Sequence, residues 1–188
     1  MQKRAELTRQ ALVRATAELI ADGQLSDAGL INICSRAGVS RGALYHHFPS
    51  TGSLAAAVYD QAHQRVVALT EKAFEGRSAD ALERFSVALG DALHTEEIVR
   101  AGMRLAADGS VGPPRLRDDL LTMVHQRVAD AHQEITPPAQ DLADLAIVVV
   151  AGLESLGHSG VDWWGSEVAQ RVWGLLRPVF LPDEPTRK

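Results

Sequence analysis

The sequence predicts an all-α fold, and two observations carry that prediction. Apolar residues recur at spacings of three and four over most of the chain and rarely alternate. Glycine, proline and capping serine residues cut these periodic stretches into segments of helix length. β-branched residues cluster only at Ile147-Val148-Val149-Val150. With 188 residues, 46% of them hydrophobic, the chain can bury a substantial core and is no disordered tail.

Each element has its own signal. Residues 5–22 carry Leu12, Ala15, Leu19 and Ile20 on one stripe and stop at Asp22-Gly23. Residues 28–37 place Leu30, Ile33, Cys34 and Ala37 at i, i+3, i+4 and i+7, an apolar face, with Gly38 where a left-handed residue ends a helix. Ser40 is the expected cap of a third helix running to about His47 and stopped by Pro49. Ser50, Thr51 and Ser53 are candidate caps for a long fourth helix over about 53–75. Further helices are expected at about 78–94, 96–108, 115–135, 138–158 and 164–178. There is no internal repeat and no low-complexity linker. Residues 1–52 read as one domain and 53–188 as a second, with the long fourth helix joining them.

Several function classes are disfavoured. The N-terminus is positive but lacks the apolar stretch of a signal peptide, and the longest apolar run, residues 147–153, is far short of a membrane span. The single Cys34 cannot form an internal disulfide. A cytoplasmic protein without membrane partners is expected. No Gly-x-Ser-x-Gly, phosphate loop, His-Glu-x-x-His or Cys/His cluster occurs, so no enzyme, cofactor or metal site is expected. Net charge is −5, but residues 1–50 carry +2 and the remainder −7. Only a docking face must neutralise phosphates, so this distribution is compatible with DNA.

The segment from Ile33 to Phe48 carries the clearest motif. Ala37 is small enough for two helices to approach, Gly38 permits the tight turn, and Val39 plugs the gap beneath it. Leu44 and Phe48, four apart, pin the third helix onto the second. Arg41 and Tyr45 then share the opposite face, as do Gly42 and His46. Small residues on an exposed helix face allow close approach to base edges in a major groove. This is the logic of a helix-turn-helix. His46 and His47, adjacent on a helix, project about 100° apart and do not suit shared metal ligation.

These residues resemble the tetracycline-repressor (TetR) family, whose signature reads here as Ile33, Ala37-Gly38-Val39-Ser40, Gly42, Leu44-Tyr45, His47-Phe48 and Leu54. The resemblance implies an N-terminal three-helix DNA-binding domain and a C-terminal helical domain for effector binding and dimerisation. Its DNA contacts would fall on Ser40, Arg41, Gly42, Ala43, Tyr45, His46, His47 and Thr51. Arg41 is the candidate for a guanine contact, because its fork matches O6 and N7. His46, His47 and the Tyr45 hydroxyl would meet phosphates, with Lys3 and Arg4 in support. Two readings of Tyr45 stay open, DNA contact or a ring packed on the scaffold. The chain departs from the family at Thr51, where a phosphate-binding lysine is usual, and at Cys34, usually alanine.

The body gives further expectations. Residues 142–157 are apolar nearly all round, and 164–180 carry Val168, Val172, Leu175, Leu176 and Val179 on a stripe. These last two helices either form a twofold dimer interface, as the resemblance implies, or pack into the monomer core. A second resemblance, of Val99-Arg100-Ala101-Gly102-Met103-Arg104-Leu105-Ala106 and Gly112-Pro113-Pro114, is to the γ-butyrolactone autoregulator receptors. It implies a small apolar or aromatic effector, with butyrolactone-like chemistry as one candidate. The tryptophan that those receptors carry on the next helix falls near Leu120 here. Candidate pocket residues are Phe85, Leu89, Met103, Leu120, Met123 and Val124, a type that is more often plain core, and Trp163, which could close a pocket or seal the dimer. The expectation is a repressor that binds a palindromic operator on double-stranded DNA as a homodimer and is released by effector. The alternative is a helical interaction module or ligand-binding protein without specific DNA recognition.

Overall fold

A computed structural model describes residues 2–22, 25–75, 80–108, 115–131, 138–157 and 166–180. The fold is all-α, with no strand among the described residues. The helices are α1 (Gln2–Ala21), α2 (Leu25–Ala37), α3 (Arg41–His47), α4 (Thr51–Ala73), α5 (Ala81–Thr95), α6 (Glu97–Asp108), α7 (Arg115–Ala131), α8 (Ala139–Gly157) and α9 (Ser166–Phe180). Among the described residues no helix is long and apolar enough to cross a membrane.

The chain divides into two compact units. One comprises Met1–Arg65 with Thr95–Arg117, the other Val66–His94 with Asp118–Lys188. The first boundary falls inside α4, after Arg65.

In the first unit, α1 packs against α2, α3 and α6. Its core joins Leu12, Leu19 and Ile20 of α1 to Ile33 and Cys34 of α2, Leu44 of α3, Phe48, and Leu54 and Val58 of α4. Ala101 and Leu105 of α6 complete it. Complete burial of a leucine such as Leu44 contributes about 1.5–3 kcal/mol relative to exposure. Polar ties reinforce the arrangement. Arg104 Nη1 donates to the Ile20 carbonyl at the end of α1 (3.3 Å). Arg65 and Glu96 form a two-pronged pair, Nη2–Oε1 2.6 Å and Nε–Oε2 2.8 Å. The Leu116 N–H donates to the Tyr59 hydroxyl.

The second unit buries Leu82, Phe85 and Leu89 of α5, Leu120, Val124 and Val128 of α7, and Leu142, Ala146 and Val150 of α8. Ala169, Trp173 and Phe180 form the buried stripe of α9. Arg84 donates twice to the Ala73 carbonyl (2.9 and 3.1 Å), closing the C-terminus of α4 with a cation where the helix dipole favours one. Arg177 of α9 donates to Asp80, just ahead of α5 (2.7 Å).

The element order follows the sequence expectation, with differences at helix starts, among them α1, which begins at Gln2 where residue 5 was expected. The second helix is assigned from Leu25, but Gly29 within it is non-helical at φ 43°, ψ −158°. Only glycine takes such a conformation without strain. α4 begins at Thr51 because Ser50 caps it. Ser53 N–H donates to Ser50 Oγ (3.1 Å) and Ser50 N–H to Ser53 Oγ (3.2 Å), a reciprocal box that satisfies two donors at once.

Candidate nucleic-acid interface

The turn between α2 and α3 is built by local chemistry. Gly38 sits at φ 66°, and its N–H donates to the Ser35 carbonyl (3.2 Å) while the Val39 N–H reaches back to Cys34 (3.0 Å). This pair of bonds is the left-handed helix stop called a Schellman motif, with Val39 turned into the core. Ser40 follows in extended conformation, and its Oγ accepts the Ala43 N–H (3.2 Å). Thus Gly38 turns the chain and Ser40 restarts it two residues later.

The seven residues of α3 divide by face. Leu44 is fully buried, and Phe48, which ends the helix, is buried beside it. Arg41, Gly42, Tyr45 and His46 are exposed, while Ala43 and His47 are half-buried. Tyr45 is 49% exposed, so its ring is not packed away as scaffold. Ser40 and Thr51 are exposed at the two helix starts that flank α3. The candidate DNA contacts are therefore contiguous, and the buried side of α3 holds them in place.

Charge gathers at one edge of this face. A recess of about 490 Å³ is lined by Lys3, Ala5, Glu6, Arg9 and His47. Arg9 lies with its guanidinium carbon 5.3 Å from the centre of the Phe48 ring, a cation–π contact that fixes the cation against the end of α3. Arg9 was not singled out in the sequence. Its signal is the i, i+3, i+6 row Lys3, Glu6, Arg9, which runs on at the same spacing into Leu12 and Ala15 of the apolar stripe of α1. On α2, Arg36 is engaged by Asp22 (3.4 Å) and Glu18 (3.6 Å), which ties it to the end of α1.

The candidate ligand residues fall differently. Phe85, Leu89, Leu120 and Val124 are buried in the second unit, where Met123 is half-buried; Met103 is buried within the first unit. Trp163 lies outside the described residues. A recess of about 550 Å³ runs instead along the outer side of α5, between Asp80 and Asp91, with Arg177 at its edge. None of the six described candidates lines it. His125 Nε2 is held by Gln140 (2.8 Å) and Asp144 (3.2 Å) of α8. The stripe expected on α9 lies beside the buried one: Leu175 is 81% exposed and Val179 is exposed, as is Val148 of α8.

Comparison with known proteins agrees with this geometry. Residues 12–58 match the family described as bacterial regulatory proteins, tetR family. The HTH-type transcriptional regulator UidR of Escherichia coli K12 is 30% identical over 172 residues, covering 82% of this chain and 86% of its own. The A-factor receptor protein of Streptomyces griseus is 28% identical over 184 residues, covering 94% of this chain and 65% of its own. The structure of CprB from Streptomyces coelicolor in complex with its biological operator sequence superposes with a TM-score of 0.75. It is 26% identical and covers 92% of this chain and 88% of that one.

Proposed function

The chain belongs to the tetR family of bacterial regulatory proteins, and from that premise we propose a cytoplasmic, effector-relieved repressor that binds a palindromic operator as a homodimer. One observation carries the reading. α3 buries Leu44 and seats Phe48 in the core while presenting Arg41, Gly42, Tyr45 and His46 together to solvent. A rigid helix face with one forked cation and little side-chain bulk suits major-groove reading, with Arg41 on a guanine edge. His46, His47, Thr51 and the Lys3–Arg9 edge then serve the flanking phosphates. Thr51 opens α4, and a helix N-terminus favours an anion even without the lysine.

On this reading residues 1–52 bind DNA, and residues 53–188 bind effector and dimerise. The exposed Val148, Leu175 and Val179 supply an apolar face on the last two helices for a twofold partner. The effector is a small apolar or aromatic molecule. The resemblance to the A-factor receptor makes butyrolactone-like chemistry the first to examine. Effector binding favours the arrangement whose heads do not match successive major grooves, and DNA weakens effector binding reciprocally.

Selection of duplexes from a random pool tests the reading. The expected product is a palindrome with half-sites one or more helical turns apart, symmetrically protected in a footprint. Enrichment of no sequence would contradict it.

A further inference from the structure

Most of the cationic groups on α3 are titratable. Of its seven residues only Arg41 carries a permanent positive charge. His46 and His47 gain one only on protonation, and histidine is the side chain whose charge changes between about pH 5 and 8. Thr51, exposed at the start of α4, adds none.

The two histidines sit differently. His46 is exposed, whereas His47 is half-buried, its ring edge-on to that of His46 (5.3 Å between centres, 74° between planes). Of the two, only His47 lines the recess of about 490 Å³ that also holds Lys3, Glu6 and Arg9 of α1. Arg9 is seated there over the ring of Phe48, the residue after His47 (5.3 Å). Glu6 accepts a hydrogen bond from Gln10, one turn along its own helix (3.1 Å). The charged groups facing His47 are therefore Lys3, Glu6 and Arg9 from α1, with His46 beside it on α3. Two cations against one carboxylate leave the recess with one net positive charge before His47 is counted. A backbone phosphate carries one negative charge, and this recess borders the face that reads DNA.

A phosphate seated here changes what His47 gains by taking up a proton. A negative charge beside an imidazole favours the charged form. The protonated ring offers two N–H donors, the neutral ring one N–H and one lone pair, and the ionised oxygens of a phosphodiester can only accept. The DNA-bound state then holds more protons than the free state over part of the neutral range. By linkage, binding tightens as pH falls through that range.

We propose that DNA binding is coupled to uptake of a proton at His47, with one backbone phosphate held in the recess between Lys3, Arg9 and His47. The inference rests on the DNA-binding reading above and adds a condition to it: the grip on the duplex follows pH.

The test measures affinity of the full-length protein at about pH 6 and about pH 8, at constant ionic strength, for the selected palindrome and for a scrambled duplex of equal composition. The parent should bind both about tenfold more tightly at the lower pH. His47→Gln should lose most of that difference, and His46→Gln should retain it. His47→Arg, charged at both pH values, should bind at the higher pH about as tightly as the parent does at the lower one. Calorimetry of the parent near neutral pH, in two buffers with different heats of ionisation, reads the proton without any substitution, and net uptake on binding is expected. Affinity that does not change with pH, a pH response that survives His47→Gln, or binding with no proton uptake would overturn the proposal. A selected palindrome bound with no pH response would remove this site and leave the repressor reading standing. A pH response through His47 on duplexes of every sequence alike would keep this site and remove sequence-specific reading.

Discussion

Gly102 and Ala62 meet at the crossing of α6 over α4 so closely that a Cβ added to Gly102 would overlap the Cβ of Ala62. Leu116 Cδ2 closes the same spot from another side, at 3.4 Å. Glycine inside a helix is normally less stable than alanine by about 0.8–1.0 kcal/mol. Here the crossing reverses that preference. Gly102→Ala is expected to destabilise the protein by roughly 1–3 kcal/mol, the usual cost of overpacking. Urea unfolding reads the loss, and Ala62→Gly in the same chain should recover part of it. A stabilised Gly102→Ala would mean the helices do not cross in this way.

Arg65 of α4 and Glu96, the residue just ahead of α6, form a charge clasp with a defined pH signature. The Arg65 guanidinium, hydrogen-bonded to Glu96, holds that carboxyl below the usual carboxylate range. A lowered folded-state value means that the stabilisation is complete above the unfolded glutamate value of about 4.3 and is lost as pH falls through the lower, folded one. Both side chains are partly solvated, so Glu96→Gln should cost only about 0.2–1 kcal/mol at neutral pH. Its stability should also fall less steeply than that of the parent below about pH 4. Thermal unfolding across pH, repeated in high salt to screen the pair, checks both points.

Thr51 lies exposed in the first turn of α4, where a positive charge could reach phosphate. Thr51→Lys should tighten binding to all duplexes alike and steepen the logarithmic salt dependence by about one unit. An unchanged slope would place this helix start away from the DNA backbone.

Leu175 is the most exposed of the large apolar residues on α9. Leu175→Glu should convert the dimer to monomer in sedimentation while leaving helical content unchanged. A variant that remains dimeric would move the interface off this face.

How much of this was legible in the sequence follows from range. The start and stop of α3 depend on Gly38, Ser40 and Phe48, all within a few residues of one another, so the motif could be read directly. The kink at Gly29 was not legible, because an isolated glycine near a helix start carries no signal of its own sign of φ. The attachment of α6 to the first unit rests on Arg104 meeting Ile20 and Gly102 meeting Ala62, contacts between residues far apart in sequence. Periodicity reports which face of a helix is apolar, not what it meets. Arg9 was missed for a related reason: on α1 it looks like any solvated cation until Phe48 is placed beneath it. On α9, the expected stripe took in Leu175 and Val179, which are exposed, and passed over Ala169 and Trp173, which are buried.

The most direct measurement of the central claim is the ratio of affinities for the selected palindrome and a scrambled duplex of equal composition, at one fixed salt concentration, for the parent and for Arg41→Ala. A sequence reader should give a ratio of about 10³ or more. Arg41→Ala should lose roughly 1–3 kcal/mol on the palindrome, relax preference at one base pair of each half-site, and change scrambled binding far less. A parent ratio near one would contradict specific DNA recognition by α3, and an Arg41→Ala variant with undiminished specificity would remove Arg41 from the reading face.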